Sequence, residues 1–120
     1  MLVAVGGALG ALARFGLGGW IQGNRADFPL GTLLVNLLGC LVMGFVMHWT
    51  SRGIISSEMR HFLAIGILGG FTTFSSFSME SLRLFEEGRL GSGLLYVGLS
   101  LLGCLFTVTV GYKVAQVVWK

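Results

Sequence analysis

The sequence predicts an all-α membrane protein of four transmembrane helices, the third broken in mid-span, as a single domain over residues 1–120. Three observations predict this. Hydrophobic residues make up 54% of the chain, charged residues only 11%, and mean hydropathy is +0.85, where soluble domains carry roughly 25% charged residues. A small soluble domain buries too little of its chain to hide that much apolar surface, so lipid is the solvent that fits. The apolar residues fall into four runs, each near the roughly 20 residues a helix needs to cross a bilayer. Finally, the third run contains a dense group of hydroxyl side chains.

The first span is expected from about Leu2 to Ile21 and holds one charge, Arg14. This start lacks the basic n-region of a signal peptide, and Arg14 falls where the apolar h-region should continue, so no cleavage is expected. The second span is expected from Leu30 to Trp49, uncharged, opened by Pro29 and closed by Thr50-Ser51-Arg52-Gly53. The third begins near Phe62 and stays uncharged through Met79; the fourth runs from Leu90 to Tyr112. Loops are expected at Gln22–Phe28, Ser51–His61 and Arg83–Arg89. Trp20, Trp49 and Trp119 lie near span ends, where indoles favour the headgroup region.

Four spans put both termini on one side. That side carries Arg52, Arg60 and Lys120, with Lys113 at its edge, and the other carries Arg25, Arg83 and Arg89. Positive charge sets orientation, and this near tie makes insertion in both orientations, and an antiparallel pair, a serious prospect beside a single weakly biased orientation. The basic residues are scattered, so no nucleic-acid face is expected. Cys40 and Cys104 lie in apolar runs and read as packing thiols. Gly6 with Gly10, and Gly66 with Gly70, have the small-xxx-small spacing that allows close helix approach, within a subunit or between subunits.

The segment Gly69-Gly70-Phe71-Thr72-Thr73-Phe74-Ser75-Ser76-Phe77-Ser78 is the main anomaly: five of its last seven residues bear hydroxyls. Irregular backbone at membrane depth is tolerated only when buried in protein or lining a cavity, and carbonyls freed at a break are cation ligands. An intact helix with back-bonded hydroxyls is the competing expectation. Phe74 and Phe77, three apart, share a helix face, and their electropositive ring edges border polar residues. Such rings pack against neighbours or host a small anion. Asn36 is an amide in an apolar span, either inter-helix glue or an anion donor. Tyr96, Ser100, Cys104 and Thr107 fall at intervals of four, four and three, a polar stripe on one face of the fourth helix that suits a seam or a pore wall. Arg14 and Glu80 are the charges nearest the membrane interior, and intramembrane charge marks cavities and ion paths. His48, His61 and the serines have no partner at nucleophile–base spacing, so no enzyme is expected.

Gly31-Thr32-Leu33-Leu34-Val35-Asn36-Leu37-Leu38-Gly39 resembles the second-helix motif of the Fluc (CrcB-type) fluoride channels. Gly69–Ser78 with Met79-Glu80 resembles their broken third helix, and Ala13-Arg14 and the chain length match too. The resemblance implies a fluoride-specific channel that permits passive export and lowers fluoride toxicity. It further implies an antiparallel dual-topology homodimer, multi-pass in the inner (plasma) membrane, with a structural sodium ion (Na+) at the subunit interface. By position, Phe74 and Phe77 would line the fluoride path, Asn36 would be the pore amide, and Tyr96 and Ser100 would lie on the polar track, with Ser76 beside them. Gly69 and Thr72 would hold sodium through backbone carbonyls, and Arg14 would raise the potential of an anion vestibule. Cys104 stands where relatives often carry a hydroxyl residue. The alternative is a small dual-topology multidrug exporter, with Glu80 as its membrane acid.

Overall fold

In the computed structural model, which describes all 120 residues, every regular element is helical. Helix α1 spans Leu2–Gln22 and α2 Leu30–Ser51. The third span is composite: α3 (Ser57–Arg60), a π-helical stretch, π1 (His61–Leu68), then α4 (Gly69–Phe71) and α5 (Phe74–Glu86). Helix α6 covers Leu90–Val118. All four runs are long and apolar enough to cross a membrane.

The helices outrun the apolar stretches. The third run begins at Ser57 rather than Phe62, because Ser56 Oγ accepts a bond from Met59 N at 3.2 Å and caps it. The same run continues through Arg83 to Glu86, where a loop was expected. Arg83 and Glu87 form an i,i+4 ion pair of 3.8 Å there, and Gly88 turns the chain with φ 72°, a conformation glycine adopts freely. Helix α6 passes Tyr112 to reach Val118, its end held against α2 by Trp119, whose carbonyl lies 3.2 Å from His48 Nε2 and whose ring sits edge-on to Trp49 at 5.3 Å. Charge ends the membrane-embedded length of a helix without ending its hydrogen-bond ladder.

Glycine sets how closely the helices pack. A Cβ at Gly10 would overlap the Ile67 carbonyl oxygen, and one at Gly6 would lie 2.8 Å from Phe62 O. Gly66 and Gly70 face Gly6 and Gly7 in return, so the two small-residue spacings meet each other inside one subunit, α1 against π1 and α4. Helices α2 and α6 close on each other through Gly44 and Gly111, where added Cβ atoms would overlap the Val108 and Leu41 carbonyls. Backbone contact of this kind drives helix association in lipid, where the hydrophobic effect gives none. The large apolar side chains point mostly outward, including Leu12, Phe15, Leu102 and Phe106. A small aromatic-aliphatic cluster of Leu33, Phe77, Leu84 and Tyr96 lies inside, and Val35, Val46, Leu68, Phe71 and Ala115 are buried at other helix contacts.

Candidate functional site

Between α4 and α5 the chain leaves helical geometry for two residues. Thr72 (φ −84°, ψ 155°) and Thr73 (φ −149°, ψ 116°) are extended. Buried backbone polar groups must find partners, and here side chains from other helices supply them. Thr72 N and Oγ1 both donate to Leu68 O, at 3.0 and 2.9 Å. Arg14 Nη1 from α1 donates to Thr72 O at 3.3 Å. Asn36 from α2 closes a two-bond ring on Thr73: its Oδ1 accepts from Thr73 N at 2.8 Å, and its Nδ2 donates to Thr73 O at 3.0 Å. Thr73 Oγ1 then caps α5, accepting from Ser76 N at 3.2 Å and donating to Ser76 Oγ at 3.1 Å. Because Thr73 N is committed to Asn36, Gly69 O lacks its usual i+4 donor.

Two cavities meet at this step, and Thr73 lines both. The first, of about 420 Å³, is bordered by Arg14, Arg25, Arg83, Thr32, Ser76 and Glu80. Three guanidinium groups against one carboxylate make it electropositive, which draws anions. The second, of about 350 Å³, is bordered by Asn36, Phe74, Phe77, Ser100, Cys40 and Cys104. Ser100 Oγ is buried there without a hydrogen-bond partner, a free donor beside Asn36 and Thr73, whose side chains are already bonded.

Glu80 links three elements. Its Oε1 accepts from Thr32 Oγ1 at 2.8 Å and its Oε2 from Tyr96 Oη at 2.6 Å. The Tyr96 ring is fully buried, edge-on to Phe28 at 5.6 Å and tilted on Phe77 at 5.5 Å. Phe77 in turn lies 5.1 Å from Phe74, which is 72% exposed, so one edge of the aromatic wall faces out of the subunit.

Of the residues singled out in the sequence, Asn36, Phe74, Phe77 and Ser100 share the second cavity, and Arg14 and Ser76 the first. Tyr96 stands behind the walls and reaches the first cavity only through Glu80. Gly69 and Thr72 bracket the last helical turn before the extended step. Thr107, on the expected stripe of α6, bonds its hydroxyl back to Cys104 O at 3.3 Å and lines neither of the two cavities. Thr73 and Thr32 carried no assigned role from the sequence, and Glu80, singled out there as an intramembrane charge, had no assigned partner. The signal for Thr32 and for the placement of Glu80 is i,i+4 spacing, since Thr32 precedes Asn36 by one turn and Glu80 follows Ser76 by one.

The family described as CrcB-like protein, Camphor Resistance (CrcB), matches residues 1–112. A fluoride-specific ion channel FluC of Thermus thermophilus is 50% identical over 114 residues, covering 94% of this chain and 90% of that protein. The FluC of Stutzerimonas stutzeri is 46% identical over 116 residues, covering 95% and 94%, and FluC 1 of Methanosarcina acetivorans is 42% identical over 112 residues, covering 92% and 86%. With its motifs, its four spans and these matches along nearly its whole length, the chain belongs to the CrcB family.

Proposed function

We propose that the chain is a fluoride-specific ion channel that lets fluoride leave the cell passively and so limits its toxicity. The observation that carries this is the extended step at Thr72–Thr73, where an arginine-bordered cavity meets one walled by two phenylalanines and a free serine hydroxyl. Fluoride is small and strongly hydrated, so a pore must replace much of its water shell and still release it. The arginines concentrate the anion at the mouth. Beyond them, Ser76 and Ser100 offer hydroxyl donors, and the Phe74 and Phe77 edges offer positive quadrupole. The thirteen-residue α5 begins at the step, and the positive end of its dipole faces the same region. Asn36 serves the path by holding the Thr73 backbone, since both ends of its amide are already bonded there.

The break in the third helix is functional in this reading because it sets opposite helix ends side by side. The C-terminal end of α4, with Gly69 O lacking its i+4 donor and Thr72 O having one lone pair beyond Arg14, suits a structural Na+. An antiparallel, dual-topology homodimer supplies the missing half of both sites. Phe74, Ser75, Ser78 and Met79 all lie exposed on the mid-span surface of α5, and hydroxyls there suit a protein partner better than hydrocarbon. The near tie of basic residues suits insertion both ways into the inner (plasma) membrane. The exporter alternative requires a free membrane acid, whereas both oxygens of Glu80 accept hydrogen bonds.

Fluoride efflux from liposomes holding the purified protein tests the function. Efflux far above that of empty vesicles is expected, with chloride retained. Folded protein that releases fluoride no faster than empty vesicles would exclude it.

A further inference from the structure

The wall of the second cavity contains a pair of groups that anion passage does not use. Cys40 extends from α2 one turn beyond Asn36, and Cys104 from α6 one turn beyond Ser100. Both thiols are free and partly buried, and both line the same cavity of about 350 Å³. The helices that carry them pack backbone to backbone at the Gly44–Gly111 contact.

We propose that Cys40 and Cys104 form a two-thiol site for a soft, two-coordinate metal ion, and that an ion held there closes the cavity. Thiolates select soft metals. A zinc site would need four ligands, and no group of three His, Cys, Asp or Glu side chains converges anywhere in the molecule, which leaves ions content with two sulfurs. A divalent ion fits best. Two S–H bonds break, two metal–sulfur bonds form, both protons leave to water, and the neutral product avoids placing net charge among apolar side chains. No electron is transferred. An ion held by both sulfurs would occupy the cavity that Phe77 and Ser100 also line. The closure half of this proposal rests on the channel function above; the binding half does not.

The probe is the mercuric ion, added to detergent-purified wild-type protein and to Cys40→Ser, Cys104→Ser and the double variant. Wild type is expected to take up one ion per subunit with loss of both free thiols in a thiol count, reversed by dithiothreitol. Each single variant should bind about 100-fold more weakly, since the second thiolate contributes by effective concentration. Equal affinity in wild type and single variants would overturn the site, and if the double variant fails to fold the single variants decide it. In liposomes, stoichiometric mercuric ion should cut wild-type fluoride efflux at least tenfold while the efflux of each single variant, compared with and without the ion, changes little. Binding without loss of efflux would overturn the closure. Protein that binds the ion but conducts no fluoride would overturn the channel function and leave the site standing.

Discussion

Asn36 does two jobs that the backbone of a broken helix cannot do for itself: it satisfies Thr73 N and Thr73 O, at 2.8 and 3.0 Å, from a neighbouring helix. Removing it strands two buried polar groups, each at a cost of about 1–3 kcal/mol. Asn36→Ala is therefore expected to lower thermal stability markedly, whereas Asn36→Gln, which keeps both functions on a longer arm, should lose less. A thermal melt in detergent checks this, and an Asn36→Ala protein as stable as wild type would refute the clamp. Phe74 and Phe77 differ at the same scale: Phe77 is 8% exposed and packed on Tyr96, while Phe74 is 72% exposed. Phe74→Ile should thus leave the subunit's stability nearly unchanged yet reduce fluoride efflux at least tenfold. Phe77→Ile should cost both, because it also opens space in the core beside Leu33 and Leu84.

Helix-scale behaviour turns on where a Cβ is forbidden. Gly10 sits where any side chain would meet the Ile67 carbonyl oxygen, whereas Gly16 has open space around it. Gly10→Ala is expected to destabilise the α1–π1 contact by about 1–3 kcal/mol, the usual cost of overpacking, and to reduce the yield of folded protein. Gly16→Ala should be neutral or slightly stabilising, since alanine is the better helix former. Size-exclusion profiles of the two variants separate these outcomes, and equal behaviour would sink the argument. The π1 winding belongs to the same contact. It runs from His61 to Leu68 directly opposite Gly6 and Gly10, and its wider turn leads into the last α-turn before the break.

For the whole molecule, the expectations concern the cation and the pairing of subunits. If Gly69 O and Thr72 O hold a structural Na+, replacing sodium by a large organic cation should lower dimer stability or efflux; no change in either would count against that site. If the chain inserts both ways, C-terminal reporters that are active only inside, and only outside, the membrane should both give signal in the same cells. Adding two lysines to the Ser51–Ser57 connection should shift that balance toward one side, and a reporter signal from one side alone in the unmodified chain would contradict dual insertion.

Much of this was legible without coordinates. Four spans and the bilayer as solvent follow from composition and run length, because these depend on local properties of consecutive residues. The hydroxyl-rich stretch Gly69–Ser78 marked the irregular region only coarsely, since Gly69–Phe71 and the residues from Phe74 on are helical and only Thr72 and Thr73 are extended. The i,i+4 rows that carry Asn36 with Cys40, and Ser100 with Cys104, are likewise readable from spacing. Tertiary structure alone decided which rows meet: that Asn36 grips Thr73, that Arg14 reaches Thr72 O, that Glu80 ties Thr32 to Tyr96, and that the two glycine spacings close on each other within one subunit. Periodicity assigns a residue to a face of its own helix, but the azimuth and depth at which helices pack depend on where backbones can touch. In this chain that is settled by the contacts of a few glycines far apart in sequence.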